Sequence, residues 1–208
     1  MKKIESEKPR VGISACLLGE RVRHDGGHKR HTWLVDVLGP RVEWVPVCPE
    51  MEIGLGVPRD TIRLVADGAQ PRLVVERTGE DLTVRMRRFA ARRVRALAAR
   101  GLDGYVLKSR SPSCGLFGVP VHAARGSIPG RNRRGRPSDV QRRRTGRGAF
   151  ADVLVIRLPD LSVEEEGRLA DPKIRAAFLA RVFATHSARR MSQSARSAST
   201  RRGTRRRR

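Results

Sequence analysis

The chain has 208 residues, enough for one ordinary domain with appendages, and a formal net charge of +24 that is unevenly spread. Residues 125–148 carry nine arginines against one acid, Asp139, and residues 187–208 carry nine arginines and no acid, which leaves only about +7 on the rest. No apolar run approaches the roughly 18–20 residues that span a bilayer, the charged start MKKIESEKPR lacks the apolar stretch of a secretory signal, and three cysteines fit no small disulfide framework, so a reducing cytoplasm is the expected setting.

Val11–Cys16 (VGISAC) reads as a buried strand, followed by a glycine-rich loop around Asp25, Gly26 and Gly27. His31 to Leu38 suits a short helix ended by Gly39-Pro40. Val42–Val47 reads as a second strand, weakened by Pro46, that runs straight into Cys48-Pro49-Glu50. A loop containing Gly54, Gly56 and Pro58 precedes a short strand at Ile62–Val65, and Leu73–Glu76 either extends the same sheet or closes a small hairpin. From Asp81 to Arg100 the apolar positions Leu82, Met86, Phe89, Ala90, Val94, Leu97 and Ala98 recur at three- and four-residue spacing, which predicts an amphipathic helix ended by Gly101. Gly104–Leu107 reads as a buried strand that leads into the loop KSRSPSCG. Phe150–Arg157 fits either helix or strand. Leu161–Leu169 reads as a helix whose N-cap is Ser162 and whose first turn holds three glutamates. A last amphipathic helix is expected over Pro172–Ala184, built on Ile174, Phe178, Leu179, Val182 and Phe183.

Few aromatics (4 %) and this alternation of strands with helices indicate an α/β fold. The expected architecture is a single domain over residues 1–186 with a mainly parallel, Rossmann-like sheet flanked by helices. Residues 123–148 form an arginine-rich flexible insert in it, and 187–208 a disordered basic tail, both low in apolar content. In parallel sheets functional groups collect at the carboxyl ends of strands. Cys16, Cys48 and Cys114 each follow such an end, so residues far apart in sequence can converge on one site.

Three thiolates select zinc, copper(I) or an iron–sulfur cluster. A zinc site would need a fourth ligand, for which His24, His28, His31 and His122 are available. A four-iron cluster usually has four cysteines; held by three, it leaves one iron open as a Lewis acid. Three buried, reduced core cysteines are the plainer alternative. Glu50, two residues beyond Cys48 in a loop, is placed for general acid–base work beside a metal-bound substrate, or is simply a solvated loop carboxylate. Ser109, Ser111 and Ser113 supply hydroxyls before Cys114, or simply shape a turn around Pro112. Gly115 is a turn residue or gives close backbone approach to a cofactor.

Taken together, VGISACLLGERVRHDGGHKR, VPVCPEMEIGLGVPRDTIRLV, DGYVLKSRSPSCG and VEEEGRL resemble, in order, the hallmark segments of the thiouracil desulfurase family. The resemblance is close over residues 9–122 and looser over 148–185. It implies a [4Fe-4S]-dependent desulfidase that removes sulfur from thiolated pyrimidines such as 2-thiouracil without net redox change. It implies that Cys16, Cys48 and Cys114 hold the cluster and that the open iron takes the substrate's thione sulfur. Glu50 corresponds to the family's catalytic glutamate and Ser111 to its catalytic serine, with Ser113 as the other assignment. The expected partner is a small thiolated nucleobase. Asp25, Lys29, Arg30, Arg59 and Lys108 lie in the same segments. Asp25 and Lys29 suit a loop-pinning ion pair, and the other three suit an anionic or polar substrate, although surface solvation explains each singly.

The arginine-rich insert and tail depart from the family pattern. Poorly constrained extensions without a function are the plainer explanation; but arginine runs bind polyanions through counterion release, which makes non-specific nucleic-acid binding the second reading. The rival function is accordingly a nucleic-acid-associated protein with a structural three-cysteine zinc site; the lack of interleaved aromatics argues against specific single-strand recognition.

Overall fold

The computed structural model describes residues 8–68, 70–123 and 144–205. Strands β1 (Arg10–Ser14), β2 (Glu43–Val47), β5 (Gly104–Leu107) and β8 (Val163–Glu165) form a four-stranded sheet in the order β2-β1-β5-β8. Every pairing in it is parallel, with Gly12 opposite both Val45 and Tyr105. Alternating side chains serve two cores. Tyr105, Leu107, Val45 and Val47 pack with helices α2 (Thr83–Ala99) and α3 (Ala149–Arg157), whereas Val11, Ile13 and Val106 pack with α4 (Pro172–Arg205) and the turn Trp33–Leu38. A Cβ on Gly12 would lie 2.2 Å from the Tyr105 ring, so only glycine lets this ring cover β1. Among the described residues no helix is long and apolar enough to cross a membrane.

The chain leaves β1 toward β2 on one side and leaves β5 toward β8 on the other. The loops after β1 and β5 therefore diverge, which opens a crevice at the carboxyl ends of the strands. The single-domain α/β expectation and its mainly parallel sheet hold. A second sheet, not expected from the sequence, has the order β4-β3-β6-β7 and is made of β3 (Ile62–Val65), β4 (Arg72–Val75), β6 (Val119–His122) and β7 (Arg144–Gly146). Its β3–β4 pair is the small hairpin, antiparallel in register Ile62 opposite Val75.

Four local expectations are corrected. Cys48-Pro49-Glu50 is not loop but the start of a one-turn helix, α1 (Pro49–Glu52), with Cys48 at its N-cap and Pro49 in its first turn. His31–Leu38 becomes a π-helical turn, Trp33–Leu38. The acidic run expected to open a helix is strand β8 with Glu166 just beyond it, because pairing with β5 outweighs helix preference and two of the three carboxylates have tertiary tasks. Glu164 accepts from Arg168, Glu165 from the N–H groups of Leu116 and Phe117, and Glu166 from Lys108 and Ser109. The last helix does not stop at Ala184. Residues 187–205, expected within a disordered tail, continue α4, whose Arg189 grips the fully buried Asp103 at 2.8 and 3.2 Å with His186 alongside at 3.3 Å.

The arginine-rich insert lies mostly outside the described residues, at 124–143. Its last residues are ordered: β7 pairs with β6, and Gly148 packs against the Ser113–Cys114 backbone, where a Cβ would come within 2.6 Å. Phe150–Arg157 resolves as helix.

Glu165 staples the segment after Cys114 to β8 by accepting from Leu116 in a buried bond of 2.7 Å and from Phe117 in a half-buried one of 3.1 Å. Glu165→Ala leaves two N–H groups without a partner and is expected to lower stability by about 2–4 kcal/mol. Urea unfolding checks this; a midpoint unchanged from the parent contradicts it.

Candidate functional site

The cleft at the crevice has a volume of about 300 Å³, and all three cysteines line it. Cys16 follows β1 on a 3-10 turn (Ala15–Leu18) that ends at Gly19, whose φ of +99° suits glycine. Cys48 caps α1 immediately after β2, and its thiol faces the Val22 carbonyl at 3.8 Å. Cys114 sits in the loop after β5. That loop is fixed from below by α3, whose first N–H groups donate to Pro112 and Ser113 at 2.9 Å, while Gly148 donates to Gly115 at 2.7 Å. Gly115 is explained within the loop: a Cβ there would meet Val119 at 2.4 Å and the Ser111 carbonyl at 2.8 Å.

The thiols are close enough to affect one another electrostatically. Burial first, then Cys48, pushes the Cys16 thiol up to about 11. Burial likewise raises Cys48, against the N–H of Met51, and raises Cys114, against a hydrogen bond from Ser14. Among the described residues no three His, Cys, Asp or Glu side chains are arranged to hold a single metal ion. Of the four histidines weighed as a fourth zinc ligand, His24 lines the cleft. His28 and His31 accept from the backbone of Arg30 and Leu34, and His122 lies on β6. Three soft donors spread around the cleft wall, with no fourth cysteine in the chain, suit a polynuclear sulfur cluster better than one tetrahedral ion.

The polar half of the cleft is one hydrogen-bonded chain. Ser113 Oγ donates to Glu50 Oε1 at 2.6 Å and lies 3.0 Å from Ser111 Oγ. Because its proton goes to the carboxylate, Ser111 supplies the proton between the two hydroxyls. Ser111 Oγ also accepts from the N–H of Cys114 at 3.1 Å, which ties the relay to the cysteine loop. Ser111 and Ser113 thus both shape the turn and line the cleft.

The remaining family-segment residues fall differently from expectation. Asp25 pairs with Arg23 at 3.2 Å, not with Lys29. The Gly27 N–H, with Arg23 second, holds its carboxyl down at about 2. Lys29 lines the cleft. Arg30 points outward to Asp36. Arg59, whose side chain is only 5 % exposed, pairs with Glu50 at 2.6 Å instead of being solvated. Lys108 is bound to Glu166 at 2.5 Å and to Ser109. Glu165 and Glu166 were missed as site residues; a local reading assigns glutamates before an apolar run to a helix dipole, and only the β5–β8 pairing reveals their targets.

Burial alone would push the Glu166 carboxyl up, but Lys108 and Ser109 outweigh it and hold it below its ordinary value. A carboxyl lowered on folding stabilises above its unfolded value, about 4.3, and loses that contribution as pH falls through the folded value. Glu166→Gln is expected to cost about 1–3 kcal/mol at neutral pH. In urea unfolding the gap to the parent should narrow below about pH 4; a gap constant across that range contradicts the assignment.

A family model described as 2-thiouracil desulfurase matches residues 11–166. Uncharacterized protein YbbK of Bacillus subtilis (strain 168) is 27 % identical over 108 residues, 50 % of this chain and 71 % of that protein. The solved structure of [4Fe-4S]-dependent thiouracil desulfidase TudS is similar at a TM-score of 0.59 and 31 % identity, covering 82 % of this chain and 97 % of that one.

Proposed function

This chain belongs to the 2-thiouracil desulfurase family, and from that premise we propose that it is an iron–sulfur-dependent desulfidase acting on thiolated pyrimidines such as 2-thiouracil. The observation that carries the reading is the meeting of three thiols with the Ser111–Ser113–Glu50 hydrogen-bonded chain in one cleft. The net reaction exchanges sulfur for oxygen: water adds its oxygen to the thione carbon, the C–S bond breaks, and uracil and hydrogen sulfide leave. No electrons are gained or lost.

Cys16, Cys48 and Cys114 would hold a [4Fe-4S] cluster, the cofactor named for the solved relative. When bound, it supplies a Lewis-acidic iron lacking a protein ligand, suited to polarising a C=S bond as metals polarise carbonyls. The chain's own groups manage the proton and the water. Ser111 stands at the cleft end of the relay, where its hydroxyl orients the attacking water. A proton taken there passes to Ser113 and on to Glu50 Oε1, across contacts of 3.0 and 2.6 Å. Glu50 then returns it to a ring nitrogen or to the departing sulfur.

The test is anaerobic reconstitution followed by assay on 2-thiouracil, 4-thiouracil and thiouridine. The expected outcome is brown protein with broad visible absorbance that releases sulfide from at least one of them. Colourless protein with stoichiometric zinc would instead favour the structural-zinc rival.

A second activity is supported by charge. Beyond Asp171 the chain has no acid, and α4 is anchored at Asp103, at the start of β5 and thus opposite the cleft. Nucleic acid held there would be tethered rather than presented to the thiols. Binding of a mixed-sequence RNA should weaken steeply with salt and should disappear when residues 195–208, which exclude Arg189, are deleted.

A further inference from the structure

Arg59 uses every donor it has on the protein. Nε and Nη2 donate to Glu50 Oε2 at 3.0 and 2.6 Å. Nη2 also donates to the Val22 carbonyl at 2.8 Å, and Nη1 to the Gly56 carbonyl at 2.7 Å and Met51 Sδ at 3.6 Å. A guanidinium has five N–H groups, so none remains for a substrate; Arg59 lines the cleft, but only 5 % of its side chain is exposed. The arrangement also joins two loops of the cleft. Val22, which accepts from Arg59, accepts from the Cys48 thiol as well, and the Arg59 N–H bonds the His24 carbonyl at 3.0 Å.

Glu50 is therefore gripped by Arg59 on one oxygen and bonded to Ser113 on the other. With Oε2 held by Arg59, Oε1 is turned to Ser113 and the relay. We propose that Arg59 is the positioning residue of this reaction: it acts only through Glu50, fixing the carboxylate so that one defined oxygen faces the Ser113–Ser111 relay. This rests on the desulfidase reading for its consequence in catalysis, but the Arg59–Glu50 coupling itself does not. Lysine cannot substitute, because an ammonium offers three donors and no planar fork.

The experiment compares Arg59→Ala and Arg59→Lys with the parent, each anaerobically reconstituted and matched for iron and sulfide content. In Arg59→Ala, kcat on 2-thiouracil is expected to fall about hundredfold, the scale of a misplaced catalytic group, with KM little changed. Added guanidinium ion should recover part of that loss, while ammonium at equal ionic strength should not. In a Glu50→Gln background the same Arg59 substitution should have almost no further effect on kcat. The proposal is overturned if Arg59→Ala turns over within a few-fold of the parent at full iron content, or if its loss multiplies that of Glu50→Gln. Should the alanine variant not fold, Arg59→Lys in both backgrounds gives the same comparison.

A parent enzyme that releases no sulfide from any thione defeats the desulfidase reading alone. Urea unfolding then decides: the midpoint shifts of Glu50→Gln and Arg59→Lys should fall well short of adding in the double variant, and additive shifts overturn the coupling.

Discussion

A Cys48→Ser chain is expected to leave anaerobic reconstitution colourless, with iron and sulfide near zero and no desulfuration. The chain has three cysteines and no spare, so the site cannot recruit a replacement thiolate. A serine hydroxyl is far less acidic than a thiol and a poor partner for iron of this kind. Folding should survive. Cys48 is half-buried at the N-cap of α1, its thiol makes one long contact to Val22, and serine is a better N-cap than cysteine. That makes Cys48 a cleaner probe than Cys114, which is buried in the core and whose loss would confound cluster binding with packing. A folded Cys48→Ser chain carrying a full complement of iron and sulfide would falsify the ligand assignment.

Glu50→Gln is expected to retain the cluster and lose about 10²–10⁴ in kcat, the range for removing a positioned acid–base group. The amide nearly matches the carboxylate in shape, so the cleft keeps its form. It cannot take up the relayed proton, and it weakens the acceptor that Arg59 grips from 2.6 Å. Iron analysis separates this from cluster loss: full iron with lost turnover supports the role, and unchanged turnover removes it.

Much of the fold was legible because its signals are local. The helix Thr83–Ala99 follows from apolar positions at helical spacing, and strands Ile62–Val65 and Gly104–Leu107 fall where short apolar runs predict them. The cysteines were legible for a related reason. Each ends a recognisable strand or its loop, and parallel topology gathers strand ends. The Glu164–Glu166 run misled for the opposite reason. Its residues fit the start of a helix, but the partners that decide their conformation, β5 and the N–H groups near Leu116, are some 50 residues away.

By itself the sequence determined the alternation of strands and helices, the three thiols at strand ends, and the carboxylate two residues beyond Cys48. These depend on residue type and spacing along the chain, which periodicity reports directly. Only the tertiary structure decided that the Arg59 guanidinium is buried against Glu50. It alone showed that Ser113 stands between Ser111 and that carboxylate, that Asp103 carries the helix past Ala184, and that Glu165 and Glu166 hold the loops of the cleft. Most of these pair a polar group with one 49 to 86 residues away, and even Arg59 and Glu50, nine apart, meet only because the intervening loop folds back. A side chain's charge does not reveal its partner; the partner is set by which loops the parallel sheet brings to the same edge.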